Sequence, residues 1–537
     1  MTQTPKLPGS RRRKPRLPVL LAFGRDENGS LVVFSLFIFV MMVLVGGMAV
    51  DFIRFENTRT RLQNTLDRAI LAAADLNQTL PAKDVVLDYF DKADLSEYIS
   101  EDDVIVEEST TYRTVTATAT AELPSLFLNA IGIDTLAAPA AGSAEERISD
   151  LEISLVLDIS GSMGSYSRIS NMRTAARNFV DTIFTTSEDG KVSISVLPYS
   201  TQVNMSGMFL QNYSRSHAQS NSFCVDFDGS DFNSSSVSPT TVLKQTAELD
   251  PWKSYRSGQT PTTRVCRTGS SAEALVMSGN QTAIKDKISA LTASGNTSID
   301  IGVKWGTALL DPATQPIINS LSEAGSVAAN FAARPAPYSD TQTMKILVVM
   351  TDGVNTSQYY MPDLYSSGPS GLFKDPDSGR ISVPYENWVC DGGCGYQTWY
   401  YEIRGNTRAA EPYGDTSGDP ALEMDWRDVW SEITVNYHAY MRYRAEGSSS
   451  VYYSWRNATR PKVSSSTKNA RLDSICTAAK NQGILIFTIG FEVTDSSAVI
   501  MESCASSASN FFRVAGTEID DAFASIATKV QSLRLIQ

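Results

Sequence analysis

The segment Leu155 to Gly164 reads LVLDISGSMG and sets Asp158, Ser160 and Ser162 two residues apart at the end of an apolar run. One carboxylate and two hydroxyls at this spacing can be aimed at a common point as the chain turns, and Gly161 and Gly164 permit a tight turn. A second carboxylate, Asp352 in VVMTDG, follows the apolar run Ile346 to Met350. A third hydroxyl, Thr297 in SGNTSIDIG, comes just before a helical pattern. Two carboxylates and three hydroxyls make an all-oxygen donor set, which suits a hard cation such as Mg²⁺ and does not suit zinc. Two acids cannot enclose the ion alone, so waters and an exchangeable outside ligand are needed to complete an octahedron. The plainer reading of any one of these residues is a helix cap or an Asx turn. A structural ion with no outside ligand is the intermediate case, and the ordered set of five points to the open site.

The elements that must position these residues are legible as short, β-branched apolar runs. Ile153 to Asp158, Val192 to Leu197, Ile346 to Met350 and Ile484 to Ile489 are nearly continuous, as expected of parallel strands covered on both faces. Helical stretches fall between them at about 168 to 185, 281 to 292, 298 to 310 and 467 to 480. Phe511 to Val514 reads as an edge strand and Ile519 to Leu533 as a closing helix. This alternation predicts an α/β fold with a doubly wound, mostly parallel sheet over 148–537, whose ligands bind beyond the carboxyl ends of the strands. Two segments, about 201–280 and 354–466, are too long for connections and read as insertions. The second holds 13 of the chain's 21 tyrosines and 5 of its 7 tryptophans, too aromatic for a disordered linker. These aromatics suit the core of an inserted subdomain or an exposed recognition surface, and the two can coexist.

Asp158-Ile159-Ser160-Gly161-Ser162, Thr297 and Thr351-Asp352-Gly353 resemble the metal-ion-dependent adhesion site of von Willebrand factor A domains. The resemblance implies that Ser160 and Ser162 are direct ligands of Mg²⁺ or Mn²⁺ and Thr297 a direct or water-mediated one. It also implies that Asp158 and Asp352 hold the ion and its waters, while a protein partner donates a Glu or Asp to the vacant position.

The N-terminal third carries a different signal. Residues 1–30 form a basic tail, and Leu31 to Val50 is a run of twenty uncharged residues that spans about 30 Å as a helix, the thickness of a hydrocarbon core. A transmembrane helix is therefore predicted over 31–52. Seven Lys/Arg precede it, against Arg54, Arg59 and Arg61 shortly after, which places the N-terminus in the cytoplasm. The helix is expected to continue outside the membrane, because Phe55, Leu62, Leu66, Ala69 and Ala73 recur at helical spacing without Pro or Gly. Residues 53–136 read as an extended helix and small α+β stalk, with alternating strand residues from Tyr112 to Ala121. The Ala-, Gly- and Pro-rich stretch at 137–147 reads as a linker.

The stretch ENGSLVVFSLFIFV, then GGMAVDFIRFENTRTRLQNTLDRAILAAA, is similar to the N-terminal region of TadG-like proteins of tight-adherence (Flp) pilus assembly, and FLNAIGIDTLAAPAAGSAE to the segment that joins the pilin-like stalk to the A domain there. The resemblance implies a single-pass protein of a bacterial inner membrane, with the bulk of the chain in the periplasm, working with pilus-assembly or surface components. Gly29-Ser30 resembles a prepilin cleavage point, but the fifth residue after Gly29 is Phe34 and not the Glu of processed pilins. The anchor is expected to be retained.

Composition narrows the function classes. A net charge of -13, with the one basic cluster in the Pro-containing tail, argues against nucleic acid. Two histidines, and no phosphate loop, H-E-x-x-H or G-x-S-x-G motif, argue against an enzyme. The six cysteines suit disulfides in an oxidising compartment: Cys476 with Cys504, Cys390 with Cys394 (or a soft metal site), and Cys224 with Cys266 as the remainder. Asp226 and Asp228 are spaced as in calcium loops, but Asp231 falls one place late, and a solvated acidic turn is the plainer reading. The alternative to metal-dependent capture is a non-catalytic structural scaffold of the pilus secretion complex.

Overall fold

The computed structural model describes residues 30–75, 78–108, 112–147, 150–390, 392–414 and 418–534. The basic cluster at 11–16 and Gly29 lie outside the described residues. The chain divides into two compact units between Arg147 and Ile148.

In the first unit one helix, Ser30–Ala74, runs for 45 residues. Its first half is apolar and exposed, and it is the one described helix long and apolar enough to cross a membrane. Its second half buries Leu62, Leu66, Ala69, Ile70 and Ala73, a stripe at spacings of three and four, against a three-stranded sheet. That sheet is antiparallel, in the order Val104–Glu108, Tyr112–Pro124, Thr135–Arg147. Val115, Ala117, Ala119 and Ala121 face the helix, and the threonines between them face away.

The stretch at 137–147 is therefore a strand and not a linker. Ala138, Ala140 and Ala144 are buried under the helix, and a Cβ on Gly142 would stand 2.9 Å from Ile70 Cδ1. The small residues bring helix and sheet into close approach, and Pro139 is tolerated because this is an edge strand. A shorter helix, Ala82–Lys92, closes the same core with Val85, Val86 and Phe90.

The second unit is a mixed α/β structure around a six-stranded sheet. Five strands are parallel, in the order Phe511–Val514, Leu485–Phe491, Thr343–Thr351, Asp150–Asp158, Val192–Tyr199, and an antiparallel strand, Leu275–Ser278, closes the edge. Successive residues of each strand serve opposite faces, so Leu155 and Val156 belong to different cores. Arg168–Thr185, Gln281–Ala290 and Glu518–Arg534 cover one face; Ile299–Ala308, Gln315–Glu323, Ser465–Asn481 and Asp495–Cys504 cover the other. Each fully buried Leu, Ile, Val or Phe in these layers contributes about 1.5–3 kcal/mol. The Ile299–Ala308 helix is buried on every side. It seats directly on the sheet through Gly302 and Gly306, where a Cβ would stand 2.8 and 2.6 Å from Val156 methyl carbons.

The two insertions build one body. Residues 354–466 supply a five-stranded antiparallel sheet, ordered Thr407–Ala409, Cys394–Glu402, Ile381–Cys390, Pro369–Lys374, Leu422–Asp425, and three helices beyond it. Their core gathers Leu372, Val383, Tyr401, Trp426 and Trp430 together with Ala247, Leu249 and Val265 from the first insertion. Some of its aromatics stay outside: Trp388 and Tyr396 are exposed on the hairpin that the Cys390–Cys394 disulfide closes. Cys224–Cys266 and Cys476–Cys504 complete the three disulfides. Asp226 is half-buried and accepts from Gln202 and Thr246, while Asp228 and Asp231 form a capping box on a short 3₁₀ turn.

Candidate metal centre

Asp158 is the last residue of its strand, and Asp352 follows the last residue of the neighbouring one, so parallel pairing sets the two carboxylates at the same end of the sheet. Asp158 is wholly buried. Its Oδ1 accepts the Ser160 amide at 2.7 Å, which curls the chain into the D-x-S-x-S turn. Its Oδ2 accepts the Thr351 hydroxyl at 2.8 Å, and the Tyr199 hydroxyl, 3.4 Å away, donates to Met350 O at 3.1 Å. Burial first, and the Asp352 charge second, push the Asp158 carboxyl up to about 7.

Ser162 Oγ donates to Asp352 Oδ1 at 2.7 Å. Its only proton is thereby used, so in the 3.0 Å contact between the two serine hydroxyls Ser160 is the donor. Asp158, Ser160, Ser162 and Asp352 thus form one connected set. Asp158, Ser160 and Asp352 are buried and Ser162 is exposed, so the set opens to solvent at Ser162.

Thr297 stands on the adjoining loop, which Gly161 N reaches at Gly295 O (2.9 Å) and Ser294 N at Ile159 O (2.8 Å). Its backbone is fixed on both sides: the amide donates to Thr356 Oγ1 at 3.0 Å, and the carbonyl accepts Thr356 N at 3.0 Å. Asn355 Oδ1 accepts the Ile299 amide at 2.8 Å. The first residues of the second insertion therefore brace the Thr297 loop. No hydrogen bond joins the Thr297 side chain to the other four residues.

Four further residues shape the site without having been singled out from the sequence. Arg168 donates from Nη1 to Asp352 Oδ2 at 3.1 Å and from Nε to Glu492 Oε2 at 2.7 Å. It is delivered there by Tyr166 and Ser167, both in the left-handed region at φ 52° and 59°, and Glu492 is likewise at φ 55°. Burial holds the Asp352 carboxyl above its ordinary range, opposed by Ser162 and the Arg168 charge. Lys468, wholly buried, donates to Thr297 O at 2.8 Å, Ser298 Oγ at 2.5 Å and Thr356 O at 2.9 Å, and lies 3.8 Å from Asp300 Oδ1. Burial pulls its ammonium down to about 8, against the Asp300 charge. Lys468 did leave a trace in the sequence, a lysine on the same helix face as Leu472, Ile475 and Ala479. Tyr199 ends an apolar strand, whereas Arg168 and Glu492 had no local signal.

Among the described residues, no group of three or more His, Cys, Asp or Glu is placed to hold a metal. The donors at this site are instead two carboxylates with hydroxyls, a set that fits Mg²⁺ or Mn²⁺.

Residues 29–76 match the family model for TadE/G-like Flp pilus-assembly proteins. No curated protein matches the chain in sequence. Among solved structures, the vWF domain of the type V pili tip protein Mfa5 from Porphyromonas gingivalis is similar at 14% identity. It aligns over 72% of this chain and 96% of that one, with a TM-score of 0.31. The pilus adhesin SpaC from Lactobacillus rhamnosus GG aligns over 80% of this chain at 13% identity and a TM-score of 0.31. The pilus adhesin RrgA from Streptococcus pneumoniae does so over 80% at 11% identity and a TM-score of 0.32. The chain spans 34% of the SpaC structure and 48% of the RrgA structure.

Proposed function

We propose that this chain, whose residues 29–76 carry the TadE/G-like Flp pilus-assembly domain, is a membrane-anchored, divalent-metal-dependent binding module that assists pilus assembly or surface adhesion. The carrying observation is the connected set of Ser160, Ser162 and Asp352 around the buried Asp158, at the ends of two adjacent parallel strands. The second unit is read as a von Willebrand factor A-type, doubly wound domain. Asp158, Ser160, Ser162, Thr297 and Asp352 would hold Mg²⁺ or Mn²⁺, which supplies a Lewis-acidic position for a carboxylate.

The chain's own residues do the rest. Arg168 occupies Asp352 Oδ2 and leaves Oδ1 on the serine side. Lys468 fixes the Thr297 loop. The opening at Ser162 is where a Glu or Asp of a protein partner enters, and Tyr166, 82% exposed and stacked on Arg168 at 5.4 Å, stands beside it. The role is binding and not catalysis. Residues 31–52 cross the inner membrane, with the N-terminus cytoplasmic and the second unit periplasmic.

The test is complementation of a strain lacking the gene. Asp158→Ala and Asp352→Ala are expected to abolish piliation or attachment while the chain remains folded in the envelope. Piliation that survives both substitutions would favour the scaffold role.

A further inference from the structure

We propose that the loop at 125–134, which joins the last two strands of the first unit, inserts into the outer face of the membrane and anchors the stalk to lipid. The inference rests on the reading that 31–52 spans the bilayer. Of the residues from Leu31 to Val50, Gly47 alone is buried, and what covers it is Phe127. A Cβ at Gly47 would overlap the Phe127 ring. Gly47 lies about 5 Å along the helix before Val50, so Phe127 is held below the end of the apolar run, at the depth where interfacial segments bury their apolar side chains.

The loop is built for that depth. It reads SLFLNAIGID, with Asp134 its only charged residue. Leu126 is 61% exposed, Ile131 58% and Ile133 41%, and Val50 and Phe52 are exposed on the helix next to Asp51. Backbone groups at such depth must be satisfied by the protein. The Asp51 carboxylate, itself buried, accepts the amides of Leu126, Phe127 and Leu128 at 3.1, 2.8 and 2.9 Å. Ser125 N, Ala130 N, Gly132 N and Ile133 N donate to carbonyls within the loop at 2.9–3.1 Å, and Ser125 Oγ donates to Ile133 O. One carboxylate at the helix exit therefore both satisfies three of the loop's amides and pins its apolar residues beside the span. The span beside which Asp51 pins the loop itself faces lipid, so lipid is the surface at this depth.

All six cysteines are paired, so a single introduced thiol is unique in the full chain. Ile131→Cys, Val43→Cys and Ile105→Cys, each labelled with a polarity-sensitive fluorophore, are compared in vesicles of phosphatidylethanolamine and phosphatidylglycerol with and without nitroxide-labelled acyl chains. Ile105 is exposed and pairs with Thr116, eight residues before the end of the Tyr112–Pro124 strand, which makes it the aqueous control. The expected result is blue-shifted emission and nitroxide quenching at position 131 as well as at position 43, with neither at 105. Quenching at 43 without any at 131 would overturn the loop's insertion while leaving the span intact. A 131 probe shielded from water yet unquenched by lipid would assign the loop to a protein partner. Absence of quenching at 43 would remove the span and the inference with it.

Discussion

The hydroxyl of Ser162 donates to Oδ1 of Asp352 at 2.7 Å across 190 positions of sequence. Ser160 reaches Asp158 through its amide and Ser162 through its hydroxyl, so the two strand ends share one polar seam. The geometry keeps one oxygen of Asp352 toward the serines and gives the other to Arg168.

Arg168→Ala removes the cation between Asp352 and Glu492. The variant is expected to lose about 2–3 kcal/mol in denaturant unfolding without divalent metal, because a buried carboxylate loses its partner. Added Mg²⁺ should recover part of that loss, read as a rise in the unfolding midpoint larger than wild type shows.

Lys468→Met removes the ammonium 3.8 Å from the buried Asp300. A loss of about 3–5 kcal/mol is expected for the single substitution. The double variant with Asp300→Asn should lose clearly less. A double-variant loss equal to the sum of the two single losses would show that the pair is not coupled.

His438 is wholly buried, with Trp426, Trp430 and Trp455 ringed at 5.2–5.5 Å and the Arg442 guanidinium 3.5 Å from Nε2. Burial first, then the Arg442 charge, hold its folded pKa well below the ordinary 6.5. The unfolded chain therefore binds a proton below pH 6.5 that the folded one refuses. The contribution of neutral His438 is fully present above pH 6.5 and falls on acidification by up to about 1.4 kcal/mol per pH unit. Tryptophan fluorescence in denaturant should show this slope between pH 6.5 and 5, and His438→Phe should flatten it.

Tyr166 is exposed and stacks on Arg168, which holds Asp352. Tyr166→Ala is expected to weaken partner capture by about tenfold or more, the scale of an aromatic anchor at an interface, while leaving metal affinity unchanged. Titration with Mn²⁺ beside a capture assay separates the two effects.

Much of this frame was legible in the sequence because the central strands are nearly continuous apolar runs with acidic residues at the ends of two of them. Asp158 and Asp352 mark those ends, and the hydroxyls follow at turn spacing. The linker reading failed at 137–147 because alanine, glycine and proline can mean flexibility or close packing, and only the helix above Gly142 decides which. The 354–466 segment gave its aromatic content but not its partner, since Ala247, Leu249 and Val265 come from the other insertion. Arg168 and Glu492 were illegible for the same reason: they meet across 324 positions, and nothing local to either announces the other.

The most direct measurement is Mn²⁺ binding to the full chain in detergent, followed by electron paramagnetic resonance. One bound ion per chain is expected, displaced by Mg²⁺ and weakened at least about tenfold by Ser162→Ala and by Asp352→Ala, with Ser170→Ala unchanged. No bound ion, or the same affinity in all four proteins, would contradict it.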